Sequence, residues 1–171
     1  MDEKRYDVDR IKERLYGYRE SARDLETQQE RLEKLKTKML GVGAQTLTDM
    51  PKAKSQTVDR LTDLLQQKDE IEESIRDLVE SRKKERKFIE GVIKHLRKSD
   101  ERSVIRVRYI DNESWDGVVD VLFGAREDLL EKADIYMRRV YKLHGEALLS
   151  MAKYIEESGL VWEDPDNTEA K

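Results

Sequence analysis

Between Arg5 and Leu40 the inward-type positions recur at alternating steps of three and four residues: Val8, Ile11, Leu15, Tyr18, Ala22, Leu25, Gln29, Leu32 and on to Met39. That spacing makes an apolar seam along a long helix that packs on another helix. Gln29 is the kind of polar interruption that fixes register. Gly17 weakens the helix by about 1 kcal/mol relative to alanine. The rhythm stops in GVGAQTLTDMPKAKSQ, residues 41–56, where glycines end the helix and Pro51 bars its continuation. It resumes as Leu61, Leu64, Lys68, Ile71, Ile75, Leu78, Arg82, Glu85, Ile89, Val92 and Leu96. Two helices, about 5–40 and 57–97, joined by the loop 41–56 fold back most simply as an antiparallel coiled-coil hairpin, with pairing between two chains as the other arrangement.

The texture changes near Ser99, where Ser99 or Asp100 is placed to cap a new helix. ERSVIRVRYI, 101–110, leads through the turn DNE to Ser114, a second capping residue, and to the helix carrying WDGVVDVLF. Gly124 ends that helix, and AREDLLEKAD reads as a short helical insert, about 125–134. RRVYKLHGEALLSM, 138–151, then lines Val140, His144, Ala147, Leu148 and Met151 along one side of a last helix. From Tyr154 to residue 171 the chain reads as an acidic tail. The expected class is therefore all-α: a hairpin over 1–98, then a trihelical helix-turn-helix domain over 99–153.

Composition narrows the chemistry. Of 171 residues 42% are charged and the net charge is -4, so any affinity for nucleic acid has to be local. High charge with regular apolar seams points to long solvated helices and an elongated shape. The chain has no cysteine, which removes disulfides, thiolate metal sites and cysteine nucleophiles. No apolar run approaches the roughly 18 residues of a membrane span, and the N-terminus has no signal-type stretch, so the expected setting is cytoplasmic, without a membrane. No phosphate-cradling glycine loop, nucleophile elbow or paired metal-binding histidines occur, so neither an enzyme, a cofactor nor a metal is expected. His144 lies on the apolar side and reads as core; His95 has no ligand partners.

The positive residues concentrate in RKKERK, 82–87, and continue through Lys94, Arg97, Lys98, Arg102, Arg106 and Arg108 into the small domain. On a helix RKKERK covers all sides, so its field is diffuse; the segment from Lys94 to Arg108 is the better candidate for phosphate contact. In a helix-turn-helix, Trp115, Val118, Val119 and Leu122 form the buried face of the supporting helix. Val140, His144, Ala147 and Leu148 pack the reading helix onto it. That leaves Tyr136, Arg138, Arg139, Tyr141 and Lys142 for a DNA groove, with Arg106 and Arg108 on the approach. The plain alternative is a solvated charged face.

ERSVIRVRYIDNESWDGVVDVLFG followed by RRVYKLHGEALLSM resembles the C-terminal part of phage and prophage proteins whose helix-turn-helix is similar to region four of sigma factors. These include regulators of the autolysin-regulator and late-transcription type. The matching residues are Arg106, Arg108, Tyr109, Ile110, Ser114, Trp115, Gly124, Val140, Tyr141, His144, Gly145, Ala147 and Leu148, and a methionine-proline step like Met50–Pro51 also occurs in the group's coiled-coil hairpins. The resemblance implies a transcriptional regulator that binds double-stranded DNA, with RNA polymerase as a further partner. This chain departs from the pattern by about ten residues inserted after Gly124, and by Glu146 where a basic residue is common. The insert either extends the module and leaves the reading helix exposed, reorients it, or covers it with Glu127, Asp128, Glu131 and Asp134. In a second functional reading the trihelical end docks a protein through Tyr136, Met137 and Tyr141, and the chain is a coiled-coil adaptor.

Overall fold

The computed structural model describes residues 8–45 and 54–162. Among these residues there are five α-helices and no strand: α1 (Val8–Gln45), α2 (Lys54–Ile93), α3 (Ser99–Ile105), α4 (Trp115–Phe123) and α5 (Ala133–Ser158). The protein is all-α, with two long helices preceding three others. Both long helices intrude on the expected loop: α1 runs past Leu40 to Gln45, and α2 starts at Lys54 rather than about 57. The Met50–Pro51 step lies outside the described residues.

The chain divides into two compact units, 1–20 with 83–171, and 21–82, so both long helices pass through both. The division does not fall at the expected Lys98 boundary because the ends of the long helices share a core with the shorter ones. In the first unit Ile11, Leu15 and Tyr18 of α1 meet Ile89, Val92 and Ile93 of α2 and Leu96 just beyond its end. Ala147, Leu148, Met151 and Ile155 of α5 close the same cluster, together with Ile105 and Tyr109. Three layers bury these side chains almost completely.

In the second unit the seam is mostly part-buried, as two helices without a third layer dictate, with Leu35 and Val42 buried. Leu61, Leu64, Lys68, Ile71, Ile75, Leu78 and Arg82 all turn away from solvent, and Arg82 donates to the Ser21 hydroxyl. On α1 the expected seam holds at Leu25, Leu32 and Met39 but not at Gln29. Gln28, not Gln29, is part-buried, and Leu35 is buried where an even four-residue step from Leu32 points to Lys36.

α3 begins at Ser99, but neither Ser99 nor Asp100 caps it: Lys98 holds the cap position with no side-chain bond. Asp100 and Glu101 in the first turn complement the helix dipole instead. α3 widens into a π-helical turn, Arg106–Ile110, closed by Asp111 N–H on the Arg106 carbonyl at 3.0 Å. The tail expected from Tyr154 instead continues α5 to Ser158. Gly159, at φ 63°, ends the helix in the left-handed region that glycine favours, and Leu160 N–H closes back on Ile155. The chain then returns to bury Trp162, which stacks on Phe88 at 4.7 Å and donates its indole N–H to Glu85 at 2.7 Å. Glu85 also accepts from Arg14, so one carboxylate ties together α1, α2 and the end of the described chain.

Candidate nucleic-acid interface

The site is built on α4. Ser114 caps it as the sequence indicates, its hydroxyl accepting from Gly117 N–H at 3.0 Å. A second cluster joins Val104 and Val107 to Val118, Val119 and Phe123 of α4 and Val140 of α5, with Trp115, Leu122, Leu129, Tyr136, Met137 and Leu143 packed around it. Of the expected core, Val118, Val119, Val140, His144, Ala147 and Leu148 are buried, and Trp115 and Leu122 are part-buried. Ala147 and Leu148 serve the other cluster, beneath α1 and α2. Phe123, Leu143 and Leu129 complete the α4–α5 contact, and helical spacing from Val119 and Val140 marks the first two. A Cβ on Gly124 would lie 2.4 Å from the Asp120 carbonyl oxygen, so the chain leaves α4 where only glycine fits without a shift.

The insert is not a helix. Residues 124–132 form successive turns, and α5 starts at Ala133, five residues before Arg138. Asp128 organises the segment, accepting from Lys132 Nζ and from the Tyr136 hydroxyl, each at 2.8 Å. Those two bonds hold its carboxyl below the ordinary carboxylate range. Leu129 packs inward while Leu130 is 94% exposed. The i to i+4 spacing of Asp128 and Lys132 was a legible signal for this clasp.

Arg138, Arg139 and Lys142 lie on the solvent side of α5, opposite Val140, His144 and Met151. Among the described residues neither Arg138 nor Arg139 has an ion-pair partner, and Lys142 approaches Glu146 at 4.0 Å. The acids of the insert therefore do not neutralise them. Arg139 rests over the Phe123 ring at 5.1 Å, and Tyr141, half exposed, meets Trp115 edge-on at 5.0 Å. Tyr136 is different: clasped by Asp128 and tilted on Phe123 at 4.9 Å, it fastens the insert and is not presented to a groove.

Arg106 is exposed as expected, but Arg108 is buried rather than on the approach to a groove. It is 7% exposed, donates to the Glu113 carbonyl at 2.8 Å and covers the Trp115 ring at 4.4 Å. The left-handed Asn112, φ 63°, turns the chain so that this carbonyl reaches the guanidinium. Arg19 of α1 also donates to the carbonyls of Asn112 and Glu113, each at 3.5 Å. Arg108 is therefore a structural clamp on the turn before α4.

Beneath this surface Tyr109 and His144 share a buried hydrogen bond of 2.8 Å. Burial, reinforced by Lys12 and Arg108, lowers His144 to about 4, so the imidazole is neutral at ordinary pH. Burial and the neighbouring Tyr16 raise Tyr109. Glu146 accepts from Lys98 at 2.9 Å, which lowers it and raises Lys98, and Lys98 also pairs with the buried Glu101 at 3.1 Å. The carboxylate that departs from the pattern is thus engaged by a lysine from the α2–α3 junction. Among the described residues no group of His, Asp and Glu has the arrangement of a metal site, and no helix is long and apolar enough to cross a membrane.

Residues 45–141, more than half of the chain, match the family of proteins of unknown function DUF1492, and the chain belongs to that family. The matched stretch takes in α2, α3, α4 and the first turns of α5. No curated protein and no solved structure matches the chain.

Proposed function

We propose that the protein is a DNA-binding transcriptional regulator of the phage or prophage type, with α4 and α5 as a helix-turn-helix. α4 supports the module, and α5 presents Arg138, Arg139 and Lys142 to the major groove, with Tyr141 beside them and Arg106 on a flanking phosphate. One observation carries the reading: Arg138 and Arg139 stand exposed on a helix backed by α4, with no carboxylate partner among the described residues. The resemblance to sigma region four supports the same assignment and adds RNA polymerase as a partner. In this reading the long helices form an antiparallel hairpin for dimerisation or docking, and the protein works in the cytoplasm.

The test is binding to random and phage-derived duplexes over a salt series. Affinity falls steeply with salt, and the Arg138→Ala/Arg139→Ala double change weakens it by roughly ten- to a hundredfold. Absence of binding to every duplex at low salt contradicts the proposal.

A second reading, an adaptor that docks a protein, has its own observation. Val121, Leu130 and Ile135 are each more than half exposed, and α4 turns Asp116 and Asp120 outward. Apolar residues rimmed by acids suit a protein partner better than a phosphate backbone. Loss of partner capture on Leu130→Ser/Ile135→Ser, with no duplex binding by the parent chain, would favour it.

A further inference from the structure

The structure sorts the basic run that sequence leaves diffuse. Arg82 is turned inward onto Ser21, Glu85 is engaged by Arg14 and Trp162, and Arg86 pairs with Glu90 at 2.8 Å. What remains on the solvent side is Lys83, Lys84 and Lys87 of α2, continued by Lys94 and Arg97 just beyond the helix end. Helical periodicity places Lys83, Lys87 and Lys94 opposite the buried Ile89, Val92, Ile93 and Leu96. None of these five cations has an ion-pair partner among the described residues. From Lys83 to Lys94 the stripe runs ~16 Å, the axial reach of about five phosphates on one DNA strand. Within it Gly91 is exposed, so the backbone itself offers close approach.

The stripe adjoins α5. His95 stacks on Tyr154 at 4.6 Å, and Lys98 reaches Glu146, one helical turn beyond Lys142. The cations of α2 and those at the start of α5 therefore belong to one unit and are linked through Lys98.

We propose that the solvent face of the end of α2 and the turn after it, from Lys83 to Lys94 with Arg97, is a second phosphate-binding surface that engages the sugar-phosphate backbone of double-stranded DNA. This inference deepens the DNA-binding reading and rests on it. Four of its five cations are lysines, point charges without forked or aromatic base-reading groups, so the stripe contributes affinity uniformly and leaves sequence choice to α5. Lysines at helical spacing fit a regular array of phosphates, and such contacts release counterions.

The experiment measures anisotropy of labelled duplexes of several sequences with the full chain over a salt series. Lys83→Gln/Lys87→Gln/Lys94→Gln should reduce the slope of log affinity against log salt by about three, from about 0.9 per phosphate contact, and weaken all sequences alike. Gly91→Glu is a second variant that keeps the helix: a Cβ there meets no atom within 4 Å. It should weaken binding about tenfold, the loss of roughly one phosphate contact at low salt, with circular dichroism unchanged. An unchanged slope in the triple variant, with Arg138→Ala/Arg139→Ala still weakening binding, overturns the stripe and leaves α5 as the reader. Loss in the triple variant with no effect of the α5 change keeps the stripe and overturns the helix-turn-helix reading. Retention of polyglutamate, with no duplex bound by the parent chain, overturns both in favour of an acidic protein partner.

Discussion

His144 shows how far one residue's role depends on what surrounds it. By spacing it belongs with Val140 and Leu148, and the structure buries it against Tyr109, between Lys12 and Arg108. The unfolded chain protonates it near its ordinary value of 6.5, whereas the folded state keeps it neutral down to about 4. Stability is therefore fully present above pH 6.5 and falls as pH drops from there to about 4, by at most about 3 kcal/mol. Thermal melts across that window should show the fall, and His144→Gln, which retains an acceptor for the tyrosine hydroxyl, should flatten it. An identical acid limb in the variant contradicts this account. Arg108 makes the complementary case. Its charge makes it look like Arg106 in the sequence, and only the Glu113 carbonyl and the Trp115 ring, brought in by the turn at Asn112, reveal it as a clamp. Arg108→Ala should cost about 2 kcal/mol, because it removes the shorter of the two bonds to that carbonyl and uncovers the ring face. Arg106→Ala should leave the denaturation midpoint within about 0.5 kcal/mol of the parent.

At the scale of elements, repetition decided what was legible. The α2 seam from Leu61 to Leu96 turns inward at every expected position because each three- or four-residue step leads to a side chain the packing accepts. On α1 the adjacent glutamines gave no means of telling Gln28 from Gln29, while Leu32 and Met39 turn inward as the spacing predicts and Leu35 joins them. The segment after Gly124 read as helical because Leu129 and Leu130 sit among acids and bases. Yet one leucine is in the cluster and the other in solvent, and Asp128 holds the turns by bonds that reach forward to Tyr136. Asp128→Asn keeps the size but weakens both charge-assisted bonds. It should lower stability and raise hydrogen exchange between 124 and 133, with exchange in α2 unchanged. Equal exchange in the variant and the parent would mean that the clasp does not order the insert. Gly91 offers an opposite change: an exposed helical glycine with open space around its Cβ position, so Gly91→Ala should stabilise by up to about 1 kcal/mol in denaturant melts.

The whole molecule brings together what the two ends of the long helices and the three later helices cannot form separately. Ile11, Leu15 and Tyr18 are far in sequence from Met151 and Ile155, and local periodicity gives no sign that they share a core. The same long-range packing returns Trp162 to Glu85, where a loose acidic tail is the local expectation. Truncation before Trp162 should therefore destabilise the unit by about 3 kcal/mol, by removing a buried indole and its bond. The candidate site was legible in part. Arg138, Arg139 and Lys142 follow from the amphipathic pattern of α5, whereas the exclusion of Tyr136 and Arg108 from that surface needed tertiary contacts. The central claim is that the exposed cations of α5 bind duplex DNA. The most direct measurement is the affinity of the parent chain and of Arg138→Ala/Arg139→Ala for one duplex across a salt series. Binding should be steeply salt-dependent in the parent, and weakened roughly ten- to a hundredfold with a shallower slope in the variant. Equal affinity and equal slope in the two proteins would contradict it.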